Sequence, residues 1–191
     1  MGSYLEIKYL EELQQQYASV EFDSEQPEPH IYVGTEDLLA LMKELQENPI
    51  WAFDRMANIT SVDYKEYIEM VYMLYSRRFD KWVTVKCKLD REKPVVESMT
   101  QVWPGTEFEE REIFDLMGVE FLHHPDLRRI LMPEDYTAYP LRKDFVPLQP
   151  KIEGGVLKWL QPKSLSEIWA LSILVPTVYS RYRWSWMERI L

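Results

Sequence analysis

Between Trp103 and Phe145 the chain reads WPGTEFEEREIFDLMGVEFLHHPDLRRILMPEDYTAYPLRKDF, and most side chains able to do chemistry crowd into it. Glu110, Glu112 and Asp115 could supply the carboxylate pair that glycoside hydrolysis needs. If the stretch is a helix, Glu112 and Asp115 share a face. Arg111 and Asp115, however, stand four apart, the spacing of a stabilising ion pair, so a salt-bridged helix face explains the same residues. His123 and His124 could ligate a metal, yet adjacent residues on a strand point to opposite faces, and His30 is far away in sequence. Nothing follows a pattern such as H-E-x-x-H. The pairs Arg128-Arg129 and Arg142-Lys143 could grip phosphate, but each is followed by acids (Glu134-Asp135 and Asp144) and reads better as a set of ion-pair partners. With six glycines in the whole chain, a phosphate-cradling loop is nearly excluded, and no nucleophile elbow or Cys/His pair is present. No catalytic, cofactor-binding or metal-ligating residue is therefore expected. Forked arginines beside chain-fixing prolines suit a rigid interface.

The whole chain agrees. It has 191 residues, 46% of them hydrophobic, and a net charge of −10. That is enough apolar material for a core and the wrong sign for a general nucleic-acid binder. The charge is uneven: residues 141–191 hold 8 Lys+Arg against 4 Asp+Glu, leaving 14 against 28 of the total 22 and 32 for the rest. An acidic body with a mildly basic C-terminal segment suggests docking. The single cysteine, Cys87, excludes an internal disulfide, a multi-cysteine zinc site or an iron–sulfur cluster held by this chain alone. It sits in the alternating run WVTVKCKL and reads as packing. The N-terminal MGSYLEIKYLEEL has neither the basic start nor the apolar region of a signal peptide. The longest apolar run, Ile168 to Tyr179, is short for a membrane span and broken by Pro176.

Elements that could position these groups are legible in the pattern. Tyr4 to Tyr17 carries a helical stripe, SVEFD and HIYVG are short strands, and Thr35 looks like the N-cap of a helix burying Leu38, Leu39, Leu41, Met42 and Leu45 and ended by Pro49. AFDRMANITSVDY reads as a strand, YIEMVYMLYS and KWVTVKCKL as a hairpin across RRFD, and VVESMTQVW as a further strand. The fold class is α+β, a mostly antiparallel sheet with helices on one face. A last helix should begin with a Thr106/Glu109 capping box and end at Gly118. The domain then spans 1–122. Seven prolines follow Val119, and four of seven tryptophans (Trp159, Trp169, Trp184, Trp186) lie beyond it. Residues 123–191 read as an extended, Pro- and Trp-rich docking tail.

Taken as a unit, the stretch resembles the signature of the thirty-kilodalton subunit, designated C, of respiratory complex I, the NADH–quinone oxidoreductase. The residues that carry the resemblance are Glu110-Arg111-Glu112, Asp115-Leu116, Gly118, Phe121, His124-Pro125-Asp126-Leu127-Arg128-Arg129-Ile130-Leu131, Pro133-Glu134-Asp135 and Pro140-Leu141-Arg142-Lys143-Asp144-Phe145. It covers roughly residues 30–147. Thr106-Glu107-Phe108 and Ala138 depart from the family's usual residues. The resemblance implies a scaffold subunit of the peripheral arm on the cytoplasmic (or stromal) side. The implied partners are the quinone-site subunit, which helps form the quinone cavity, and the terminal iron–sulfur subunit, which holds the last cluster. Through the tail, the ferredoxin-like subunit is a third. Iron–sulfur clusters, FMN and quinone are implied for other subunits, with none bound here. Ferredoxin- or F420-linked dehydrogenases and membrane-bound hydrogenases contain an equivalent subunit. A stand-alone enzyme or a polyanion-binding adaptor are the competing classes.

Overall fold

The computed structural model describes residues 3–4, 7–23, 30–146, 149–153 and 156–160. Apolar side chains buried at every second position in two neighbouring runs set the architecture. In β5 (Tyr67–Ser76) Ile68, Met70, Tyr72 and Leu74 are buried, and in β6 (Lys81–Asp90) so are Val83, Val85, Cys87 and Leu89. Period-two burial on one face is what a pleated strand produces. The two pair antiparallel from Tyr67↔Asp90 to Ser76↔Lys81 across RRFD. Asp80 takes a left-handed φ of 52° in that turn, a conformation that Asp tolerates better than most residues.

β4 (Arg55–Asp63) adds antiparallel to β5, with a register break between Met56 and Asn58. On the far edge of β6 lies β3 (His30–Val33), parallel to it, and β2 (Glu21–Asp23) runs antiparallel to β3. A two-residue β1 (Ser3–Tyr4) also pairs with β6. The order is β2-β3-β6-β5-β4, mostly antiparallel as the sequence predicts. Leu13 of α1 (Ile7–Gln16) and Leu38, Leu41, Met42 and Leu45 of α2 (Thr35–Glu47) join the buried face of the sheet in one core. Each such side chain contributes roughly 1.5–3 kcal/mol when buried. Leu39 is only half-buried. The N-cap of α2 is Gly34, not Thr35. Ser19 takes over the capping work: its hydroxyl accepts the Gly34 N–H (3.2 Å) and donates to Asp37 in the first turn (2.6 Å).

The expected strand VVESMTQVW is cut to β7 (Val95–Glu97). There the Ser98 hydroxyl accepts the Thr100 N–H and bends the chain into a 3-10 turn, Met99–Gln101. A second turn, Pro104–Thr106, leads into α3 (Glu107–Met117). β8 (Glu120–Leu122) then pairs parallel with β7. The compact body runs from Met1 to Phe145, so residues 123–145 belong to it as turns, and the boundary falls after 145 rather than after 122. The second unit, Val146–Leu191, contains an antiparallel hairpin of β9 (Gln149–Glu153) and β10 (Val156–Leu160), with Trp159 in β10. The expected tail features at Trp169, Trp184 and Trp186 lie outside the described residues.

Candidate functional site

α3 and the segment that returns after it, 123–145, hold every signature residue except Gly118 and Phe121, which lie between them, and the segment has little regular structure of its own. It is held by side chains binding backbone. Asp115 is completely buried. Its Oδ2 accepts the N–H groups of Ile130 (3.1 Å), Leu131 (2.7 Å) and Met132 (2.8 Å), and its Oδ1 accepts Arg129 Nη1 at 2.6 Å. Arg129 also donates to the Asp115 carbonyl at 3.0 Å. Burial opposes the charged form, but these backbone donors and Arg129 outweigh it and hold the carboxyl below its usual range. The expected Arg111–Asp115 pair is absent because Asp115 faces the returning chain. Arg111, itself buried, donates to the Arg128 carbonyl (3.2 Å), stands 3.9 Å from both Glu107 and Asp126, and lies over the Phe108 ring.

The C-terminus of α3 forms the second anchor. Gly118 takes φ 72° and donates to Phe114 O, the expected C-cap. A Cβ there would also lie 2.5 Å from the Tyr139 ring. Arg142 stacks on Tyr139 (4.7 Å to the centroid) and donates to Met117 O at 2.8 Å, while the Leu141 N–H reaches Leu116 O at 3.1 Å. These donors take up carbonyls that a helix end leaves without intrahelical partners. The third anchor is Asp63, at the end of β4. It accepts Arg91 through both oxygens (3.0 and 3.1 Å) and the Lys143 N–H at 2.9 Å, and Arg91 also reaches Asp144 at 2.8 Å. Arg91, chiefly, with the Lys143 and Lys65 amides, holds the Asp63 carboxyl well below the usual carboxylate range.

The remaining signature residues divide by exposure. The His124 ring is buried against the Glu107 carbonyl, while His123 turns outward to Glu97 (2.8 Å), so the two do not meet. Glu112 is exposed and Asp115 buried, so they share no face and form no carboxylate pair. Pro125, Arg128, Asp135, Lys143 and Asp144 are exposed and Pro140 is half-buried. Arg128 spends its charge on Asp126 at 2.9 Å. Glu110 is completely buried. The Thr106/Glu109 capping box does not form: the Thr106 hydroxyl donates to Trp103 O (2.9 Å) and Glu109 accepts the Ile59 N–H (2.9 Å). Among the described residues, no three His, Cys, Asp or Glu side chains converge on a place for a metal ion. Asp63, Arg91, Ser98 and Tyr139 are the structurally decisive residues that sequence reasoning missed. Asp63 and Arg91 sit at strand ends far from the signature, and no local pattern marks them.

Beside these exposed charges the region also carries exposed apolar groups. Phe108 is 63% exposed, Leu131 60% and Leu141 60%, with Ile130 and Leu122 more than a third exposed. Among the described residues no helix is long and apolar enough to cross a membrane.

Comparison with known proteins gives this arrangement a context. The NADH-quinone oxidoreductase subunit designated C from Moorella thermoacetica is 45% identical over 149 residues, covering 77% of this chain and 97% of that one. The protein of the same name from Roseiflexus sp. is 40% identical over 121 residues, 62% of this chain and 69% of its own. The structure of a trypsin-resistant fragment of Nqo5 superposes with a TM-score of 0.55 at 25% identity, covering 63% of this chain and 98% of that one. A chain from the membrane-bound sulfane sulfur reductase, an archaeal respiratory membrane complex, shares the fold at a TM-score of 0.63 and 24% identity, over 73% of this chain and 85% of that one. Residues 31–151, which contain all three anchors, match the family described as "Respiratory-chain NADH dehydrogenase, 30 Kd subunit", and the chain belongs to that family.

Proposed function

We propose that this chain is a non-catalytic structural subunit in the peripheral arm of an ion-pumping NADH–quinone oxidoreductase, on the cytoplasmic face of the membrane. In this reading it packs beside the quinone-site subunit and the terminal iron–sulfur subunit, and residues 151–191 reach toward the ferredoxin-like subunit. Iron–sulfur clusters, FMN and quinone belong to other subunits of the complex, and the chain meets the membrane only through the complex. Family membership supports a complex I-type subunit. The observation that carries the structural role is the bracing of 107–145: Asp115, Arg129 and Arg142 hold its backbone, while Phe108, Leu131 and Leu141 stay exposed on it. Large exposed apolar side chains on a braced segment suit an interaction surface, and a braced backbone lowers the ordering cost of association.

The test is Leu131→Asp in the tagged full chain, followed by gentle solubilisation of membranes. Leu131 is 60% exposed, so the isolated chain should keep its stability to within about 0.5 kcal/mol. A marked loss of the co-purifying iron–sulfur and flavin assembly is expected. An unchanged assembly would overturn the interface assignment. Co-purification of the wild type without a flavin NADH module would replace NADH with another donor, and recovery of a lone chain would overturn the subunit reading.

A further inference from the structure

One buried group takes no part in holding the returning segment. Glu110, on α3, is 0% exposed, and the only basic side chain in ion-pair range among the described residues is His124. Its neighbours from each packed element are as follows. From the turn after β7, the Met99 N–H donates to Oε1 and the Ser98 hydroxyl to Oε2, both at 2.6 Å. From the turn before α3, Thr106 Oγ1 lies 3.5 Å away and is already engaged with Trp103 O. From the loop after β8 comes His124, whose Nε2 is 3.9 Å from Oε2. On α3 itself the neighbouring acid is Glu109, and in the core the Tyr72 hydroxyl feels the same carboxyl and has no hydrogen-bond partner among the described residues.

The histidine supplies no positive charge. Its Nδ1 accepts the Asp126 N–H at 3.1 Å, and its Nε2 faces the Glu107 carbonyl at 3.2 Å. Nδ1 must therefore be an acceptor and Nε2 the donor, which is the neutral tautomer. Arg111, next in sequence, turns away to Glu107, Asp126 and the Arg128 carbonyl. A carboxylate here would be a buried charge with no counter-ion, the situation in which proteins bind a proton instead.

The site also has a route to water. Ser98 Oγ touches Glu110 Oε2 at 2.6 Å and Thr100 Oγ1 at 2.6 Å, and either hydroxyl of the Ser98–Thr100 pair can donate. Ser98 is 0% exposed, whereas Thr100 is only half-buried. The three oxygens form a chain from the core to the surface whose donors can all reverse. With the carboxylate charged, Thr100 donates to Ser98 and Ser98 to Glu110. When a proton arrives from water on Thr100, the Thr100 proton passes to Ser98 and the Ser98 proton to Glu110. Each hydroxyl then points the other way and no atom lacks a partner. The Thr100 N–H donates to Ser98 Oγ at 3.1 Å in either state and fixes the chain's geometry.

We propose that Glu110 is a proton-binding site, filled and emptied through Ser98 and Thr100. The electrostatics agree in direction: burial outweighs the Ser98, Met99 and Thr106 donors, Glu109 adds to it, and the carboxyl is pushed up to about 7. This proposal does not depend on which complex the chain enters. The test is a pH titration of the full chain carrying carboxyl-13C glutamate, followed by NMR. One glutamate should titrate with a midpoint near 7, and its signal should be missing from Glu110→Gln. If every glutamate of the wild type titrates in the ordinary carboxylate range, the site is refuted, whether or not the variant folds. Thr100→Val tests the route. It leaves both direct donors to Glu110 in place, so the midpoint should hold while the averaged signal splits into separate protonated and ionised signals. An unchanged averaged signal in Thr100→Val would overturn the path.

Discussion

Replacing Asp115 by Asn changes one oxygen into an NH2 group and almost nothing in volume. The amide has one carbonyl oxygen where the carboxylate has two acceptors. In the native protein those two oxygens serve Arg129 at 2.6 Å and three consecutive N–H groups at 2.7 to 3.1 Å. In Asp115→Asn the amide must point its donors either at the Arg129 guanidinium or at the N–H groups of 130–132. Either choice sets donor against donor in a fully buried place. Removing one partner of a buried ion pair costs on the order of 3–5 kcal/mol, and hydrogen bonds to charged groups contribute about 1.5–3 kcal/mol each. A loss of about 3–5 kcal/mol is therefore expected, a large part of the roughly 5–15 kcal/mol that holds an ordinary domain together. For a body of this size that is on the order of 10 °C in Tm. Guanidinium and thermal unfolding of the full chain, followed by circular dichroism, give the number, with the exposed neighbour Glu112→Gln as a control near zero. The same carboxyl fixes an acid limit. Its folded pKa lies below the unfolded one, so its stabilisation is present above the unfolded value and is lost as pH falls through the folded one. A loss under about 1 kcal/mol in Asp115→Asn, with no flattening of the acid limb, would refute the anchoring role given to this residue.

Gly118→Ala must hold a left-handed backbone, at roughly 1–2 kcal/mol, and displace the Tyr139 ring that its Cβ would meet at 2.5 Å. Adding Tyr139→Ala to it should recover only the steric part, which a double-mutant cycle in Tm reads directly. Tyr72→Phe removes a buried hydroxyl that has no partner among the described residues, so stability should be unchanged or should rise by up to about 1–3 kcal/mol; a clear loss would reveal a bond there. Glu110 predicts the opposite pH trend to Asp115. Its folded pKa of about 7 lies above the unfolded 4.5, so its stabilisation is complete below 4.5 and is lost as pH rises toward 7. That amounts to about 3 kcal/mol by linkage. Stability of the wild type should fall over that window by more than that of Glu110→Gln, measured by denaturant midpoint at each pH.

Where burial follows a period, the sequence is a good guide. The β5–β6 hairpin, the buried stripe of α2 and the C-cap at Gly118 each follow from residues within a few positions of one another. Asp115 shows where that kind of reading stops. Its i,i+4 neighbour Arg111 is the natural partner on an isolated helix, but this helix has a chain lying against it. Arg129, fourteen positions on, competes in the buried geometry and wins. Thr106 and Glu109 have the capping spacing, yet Trp103 O and the Ile59 N–H claim them first. The segment 123–145 reads as extended because it is anchored by carboxylates binding amides rather than by a periodic apolar face. Amide donors belong to every residue but proline and leave no trace in side-chain type.

The Asp63–Lys143 bond spans 80 positions, and this bears on how the chain is made. A ribosome delivers β4 and α3 before it delivers 129–143. During that interval Asp63 lacks the Lys143 amide, and Asp115 lacks Arg129 and its three amides. Asp115 must then stay hydrated, while Asp63 keeps only Arg91 and the Lys65 amide. The last turn of the segment is therefore a latch that finishes folding of residues laid down much earlier. A chain cut at 122 would lack the Lys143 amide at Asp63, and Arg129 and three amides at Asp115, so the last residues made complete the environment of acids made long before.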